Sequence, residues 1–110
     1  MTSQPPEQIA ADPPTDMSQS AAQAAAFLKT LAHEGRLMIL CHLSAGEKSV
    51  GELEALLDIR QAAVSQMLAR LRDDGLVATR RDGKTIFYSL NDGNTEQMIN
   101  LLYGLFCSSE

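Results

Sequence analysis

The sequence predicts a mainly α-helical fold carrying a single β-hairpin. Two observations carry that expectation. Apolar residues recur at helical spacing in five separate stretches of the chain. Only Leu76 to Leu90 departs from this, with β-branched and aromatic residues on both sides of an Asp82-Gly83 pair, the dipeptide of a two-residue hairpin turn. At 110 residues the chain is expected to form one domain. With Trp absent and aromatics at 5%, its core is built from Leu, Ala, Ile, Val and Met. A domain this small buries a modest share of its surface, so a second subunit would help its stability.

Met1 to about Asp16 holds all four prolines and few apolar side chains, and reads as a disordered arm, residues 1–16. The folded domain then spans residues 17–110, with Asp16, Ser18 or Ser20 available to cap the first helix. Ser20 to Leu31 is Ala-rich, with Phe27, Leu28 and Leu31 at helical spacing, and its small residues permit close approach of a partner helix. A second helix follows His33-Glu34-Gly35 and runs to about Ser44, with Leu37, Leu40 and Cys41 on one face. Ala45 to Lys48 reads as a turn. Ser49, with Glu52 three residues on, matches a capping box that opens a short third helix to about Leu57.

Asp58-Ile59-Arg60 is a tight connection into a fourth helix, Gln61 to Asp73. Its apolar stripe is Val64, Leu68 and Leu71, and Gly75 provides a left-handed stop. The hairpin comprises Leu76 to Arg81 and Thr85 to Leu90. Thr95 to Cys107 forms a last helix that is apolar nearly all round, and such a helix needs burial on more than one side. A homodimer paired through this surface is the natural expectation.

A short helix and a polar-faced helix joined by a three-residue turn make a helix-turn-helix, and the hairpin behind it makes a wing. The second helix of the pair is expected to enter the major groove of DNA. Gln61, Ser65 and Gln66 would donate and accept at base edges, Ala62 and Ala63 would allow close approach or touch a thymine methyl, and Arg70 would hold phosphate. Arg80, Arg81 and Lys84 flank the wing tip and would hold phosphates or probe the minor groove. The total charge of −5 argues weakly against nucleic acid, but its distribution reverses this: Arg60 to Ile86 holds six basic and three acidic residues, a local +3 that leaves −8 elsewhere. Two other readings stay open: a basic hairpin also serves as a solvated edge, and some winged helices bind protein rather than DNA. No nucleophile–base pair, Gly-rich phosphate loop or carboxylate pair suggests an enzyme or a cofactor.

Three segments carry a resemblance to a known family. Leu31 to Leu40 (LAHEGRLMIL) resembles the second-helix motif of the ArsR family of bacterial repressors; Ala63 to Val77 (AVSQMLARLRDDGLV) resembles its recognition helix and the entry to its wing; Arg80 to Leu90 (RRDGKTIFYSL) resembles its hairpin. The likeness spans about residues 20–107. It implies a homodimer paired through the first and last helices, bound to a palindromic operator and released by an inducer. One position departs: the family often has Ser or Asn where Arg60 stands, and an Arg side chain cannot accept the amide hydrogen bond of a cap. Arg60 is expected to contact phosphate instead.

The inducer is constrained by what the sequence omits. Metal-sensing relatives use a Cys-x-Cys pair near the helix-turn-helix, or His with Asp or Glu on the last helix. Ser49 to Leu53 has no Cys and Thr95 to Glu110 no His, so no metal site is expected. What remains is Cys41 on the second helix and Cys107 at the end of the last, 66 positions apart. This pair resembles the persulfide-responsive branch of the family, the SqrR and BigR type, in which reactive sulfur species join two thiols through a sulfur bridge and DNA affinity falls. In this chain Arg36 or His42 would favour the Cys41 thiolate. A plain disulfide needs Cα atoms about 4.4–6.8 Å apart, and a somewhat wider pair would favour a bridge with extra sulfur atoms. The same thiols would also suit a thiophilic metal, a metalloid or a general oxidant. No apolar run is long enough for a membrane span, and Met1 to Pro6 has neither the charged nor the apolar part of a secretory signal. The expectation is therefore a cytoplasmic protein with reduced thiols.

Overall fold

The structure is a computed structural model in which residues 13–91 and 93–107 are described. In chain order their elements are α1 (Pro13–Leu31), α2 (Glu34–Leu43), β1 (Lys48–Ser49), α3 (Val50–Leu57), α4 (Gln61–Asp73), β2 (Val77–Asp82), β3 (Thr85–Leu90) and α5 (Gly93–Phe106). The expected order of four helices, hairpin and helix is therefore present. The first helix begins earlier than expected, at Pro13, so the last four residues of the expected arm are helical. Proline is tolerated in a first helical turn, where the missing N–H had no partner to lose. The rest of that arm lies outside the described residues.

Local chemistry sets the ends of each element. His33 caps α2, its Nδ1 accepting the Arg36 N–H at 3.3 Å. The expected capping box opens α3: Ser49 Oγ accepts the Glu52 N–H at 3.1 Å and Glu52 Oε1 accepts the Ser49 N–H at 2.8 Å. Asp58 ends α3 at φ 57°, a left-handed conformation that Asp tolerates better than most residues. After α4, the Gly75 N–H donates to the Arg72 carbonyl and the Leu76 N–H to the Leu71 carbonyl. This is a Schellman stop, with Gly75 at φ 80°. It also explains why the wing begins at Val77 rather than Leu76, since Leu76 is spent closing the helix.

The β2–β3 register runs from Val77 opposite Leu90 to Asp82 opposite Thr85. A third strand was not expected. Lys48 and Ser49, read as turn and cap, pair with Tyr88 and Phe87 to give the sheet order β1-β3-β2. The core lies where α2, α3 and α4 meet the root of the wing. Ile39, Leu40, Leu53, Val64, Leu68 and Leu71 are fully buried there, joined by Leu31, Leu43, Leu76, Val77 and Ile99. The expected inner stripe of α4 is thus the stripe that is buried. By contrast α5 buries Thr95 and Ile99 but leaves Leu101, Tyr103, Leu105 and Phe106 exposed, as α1 leaves Leu28.

Candidate nucleic-acid interface and thiol pair

With Val64, Leu68 and Leu71 turned inward, α4 presents Gln61, Ala62, Ser65, Gln66 and Arg70 to solvent, with Ala63 half-buried. Arg60 is exposed and caps α4 with extended backbone and no side-chain hydrogen bond, as its chemistry requires. The C-terminal end of α4 is held by a polar cluster that sequence reasoning missed. Thr30, 2% exposed at the end of α1, donates through Oγ1 to Asp74 Oδ2 at 2.5 Å. Arg70 Nε donates to the same oxygen at 2.9 Å, and Arg36 Nε donates to the Thr30 carbonyl at 2.9 Å. Residues 44 positions apart are involved, so no local pattern announces the contact.

The Thr30 hydroxyl, then Arg70, hold the Asp74 carboxyl below its ordinary range. A carboxylate with a depressed folded pKa contributes stability above its unfolded value near about 3.9 and loses it as pH falls through the folded one. Thr30→Val is therefore expected to cost about 1–2 kcal/mol at neutral pH, as for a lost hydrogen bond to a charged group. The gap between the two proteins should narrow below about pH 4, which urea unfolding at both pH values measures.

The wing does not present its basic residues equally. Arg80 is ion-paired with Glu47, its Nη2 on Oε1 and its Nε 3.2 Å from Oε2, and its guanidinium lies 4.9 Å from the centre of the Phe87 ring. Asp82 lies 3.9 Å away on its other side. The Arg80 hydrogen bond holds the Glu47 carboxyl below its usual range. Arg80 thus fastens the wing to the segment ahead of β1. Arg81 and Lys84 are exposed and, among the described residues, form no ion pair. Lys84 and Gln61 line one concavity of about 410 Å³ together with Ser49 and Gly51, so the wing tip and the start of α4 share a surface.

Cys41 is half-buried on α2 and Cys107 is exposed immediately beyond α5, its N–H donating to the Tyr103 carbonyl at 2.8 Å. Both are free thiols. Burial raises the Cys41 pKa above its ordinary value, and a negative charge on Cys107 raises it further. The fold therefore brings the two sulfurs within electrostatic reach. It also corrects the expectation that Arg36 or His42 favours the Cys41 thiolate: the shift runs the other way, and Arg36 directs its Nε to Thr30. Among the described residues, no three His, Cys, Asp or Glu side chains gather as they would around a metal ion, and no helix is long and apolar enough to cross a membrane.

Residues 33–79 match the family model described as "Bacterial regulatory protein, arsR family". Over 94 residues the chain is 52% identical to the biofilm growth-associated repressor of Agrobacterium fabrum, covering 86% of this chain and 80% of that protein. It is 47% identical to the transcriptional activator HlyU of Vibrio cholerae, over 86% of this chain and 87% of that one. The structure of reduced HlyU from V. cholerae superposes with a TM-score of 0.81 over 84% of this chain and 98% of its own. The repressor BigR of Xylella fastidiosa superposes at 0.79 with 47% identity, over 86% and 97%.

Proposed function

This chain belongs to the arsR family of bacterial regulatory proteins, and on that premise we propose that it is a homodimeric, operator-binding repressor that reactive sulfur species release from DNA by joining Cys41 to Cys107. Its standing as a transcriptional regulator follows from the family. What supports the sensing half is that Cys107, just beyond α5, lies near enough to Cys41 on α2 for its charge to raise the Cys41 pKa. The DNA-reading half is supported by the exposed polar face of α4 beside the wing's Lys84. A relative whose structure is described as reduced adds support for a redox-dependent state.

The chemistry is thiol–disulfide exchange. Cys107, the accessible thiol, attacks as thiolate an S–S bond of a polysulfide; a shorter polysulfide leaves with the electron pair, and a sulfur chain stays on Cys107. The Cys41 thiolate then attacks that chain and expels hydrosulfide or a shorter polysulfide. Attack on a chain sulfur that still bears a leaving sulfur on its outer side keeps the sulfurs nearer Cys107 in the bridge, so no short Cα separation is needed. The bridge ties α2 to the end of α5, and a dimer held through α1 and α5 then favours a half-site spacing that fits the operator less well.

Gel shifts on DNA upstream of the chain's own gene, with and without polysulfide, test the reading; mass spectrometry distinguishes added sulfur from a bound metalloid. Failure to bind any such fragment more tightly than random DNA would leave a protein-interaction module. Within the wing, Arg81→Ala and Lys84→Ala are each expected to lower the salt slope of DNA binding by about one unit. Arg80→Ala should lower it less, because Glu47 already neutralises that charge. Binding titrations over a series of salt concentrations measure all three.

A further inference from the structure

Met67 is half-buried on α4, and its thioether packs against Gly35 in the first turn of α2. A Cβ at Gly35 would lie 2.5 Å from the Met67 sulfur and 3.2 Å from its methyl carbon, with His33 Cε1 also at 3.2 Å. The absence of a side chain at residue 35 lets the Met67 thioether lie against the first turn of α2, so an atom added to the sulfur on that side displaces the Met67 side chain. Met67 and Gly35 line the same open cavity of about 730 Å³, walled also by the polar side chains of His33, Glu34 and Gln66 and by Met38, Leu57, Ile59 and Ala63. Small solutes therefore have a route to the sulfur.

We propose that Met67 is a modification site, oxidised to the sulfoxide by two-electron oxidants of the peroxide or hypohalous acid class, and that this lowers DNA affinity without involving either cysteine. With hydrogen peroxide the sulfur lone pair attacks one oxygen, an S–O bond forms, the O–O bond breaks, and the second oxygen leaves as water. Sulfur is oxidised by two electrons and peroxide is reduced by two. The product is a strong dipole in place of an apolar thioether. Turned toward Gly35, the new oxygen crowds the first turn of α2. Turned into the cavity, it puts a dipole beside Met38, Leu57 and Ile59 in the cleft where α2 meets α4, and it weakens the apolar contact between them. Ala63 and Gln66 share that wall and move with α4. Met38 lines the same cavity but is 43% exposed, and its sulfoxide is accommodated by solvent.

The functional half of this inference rests on operator binding by the chain. The test exposes wild-type protein to hypochlorite or peroxide and then to dithiothreitol, which reverses disulfides and sulfenic acids but not sulfoxide. Expected are a gain of about 16 Da on the Met67 peptide and a loss of operator affinity of about tenfold or more, restored by methionine sulfoxide reductases. Met67→Leu should keep its affinity through the same treatment and Met38→Leu should lose it. The inference is overturned if Met67 is not oxidised in the folded protein, if Met67→Leu loses affinity as wild type does, or if reductase restores nothing. Should untreated protein bind no operator, the DNA reading has failed separately. Melting then decides the site: a lower melting temperature for the sulfoxide, absent in treated Met67→Leu, supports it, and equal melting overturns it.

Discussion

Serine at Cys41 or at Cys107 is expected to abolish the release of operator DNA by polysulfide while the untreated protein still binds. An inducer that couples two states of a dimer typically changes affinity by about 5–150-fold, equivalent to 1–3 kcal/mol. Wild type should lose binding by a factor in that range, and each single variant by none of it. The two variants should behave alike although one thiol is half-buried and the other exposed, because the bridge needs both ends. Mass spectrometry should find added sulfur within a Cys41–Cys107 cross-link only in wild type. The raised Cys41 pKa adds a pH signature. A group lifted above its ordinary value holds less thiolate at a given pH, so cross-linking should accelerate as pH rises toward that value. Equal release of all three proteins by polysulfide would sink the thiol mechanism and leave the DNA interface untouched.

Leu105→Glu combined with Phe106→Glu should convert the proposed dimer to a monomer and reduce operator affinity by about 10²–10⁴-fold, the gain that two linked half-site contacts supply. These side chains are 65% and 79% exposed in the single subunit, so charge there should not unfold the chain. Leu101 and Tyr103 on the same helix and Leu28 on α1 are exposed as well, and so much exposed apolar area marks an interaction surface. Light scattering should show the mass halved, with the helical circular dichroism unchanged. A dimer that persists with full affinity would mean that the subunits meet elsewhere. Phe106 directly precedes Cys107, so the same surface offers a short route from a bridged thiol to the relative placement of two subunits.

Features encoded by neighbours in sequence were legible in advance. The Ser49–Glu52 box, the Gly75 stop and the α4 stripe of Val64, Leu68 and Leu71 each depend on residues within one or two turns of each other, and each is present. The hairpin is present too, but its two-residue turn is Gly83-Lys84 rather than Asp82-Gly83, because Asp82 pairs with Thr85 and the left-handed position falls on Gly83. Features that depend on distant pairing were not legible. Lys48 and Ser49 form a strand only because β3 lies alongside, and two residues carry no period of their own. Thr30 on Asp74 and Glu47 on Arg80 span 44 and 33 positions. They change what Arg70 and Arg80 have to offer DNA, and a count of basic residues cannot detect that. The Cys41–Cys107 proximity was accessible only through likeness to a family, since nothing local links positions so far apart.

Ser49 belongs to two devices at once: it pairs with Phe87 in the sheet and caps the helix that precedes α4. With Arg80 clamping the strand side to Glu47, hairpin and reading helix cannot swivel independently. In the dimer proposed above, each subunit would therefore grip its stretch of duplex as one stiff jaw. The proposed inducer, acting away from that jaw, would have only the distance and tilt between two jaws to alter, so the preferred base sequence within a half-site should be the same before and after induction.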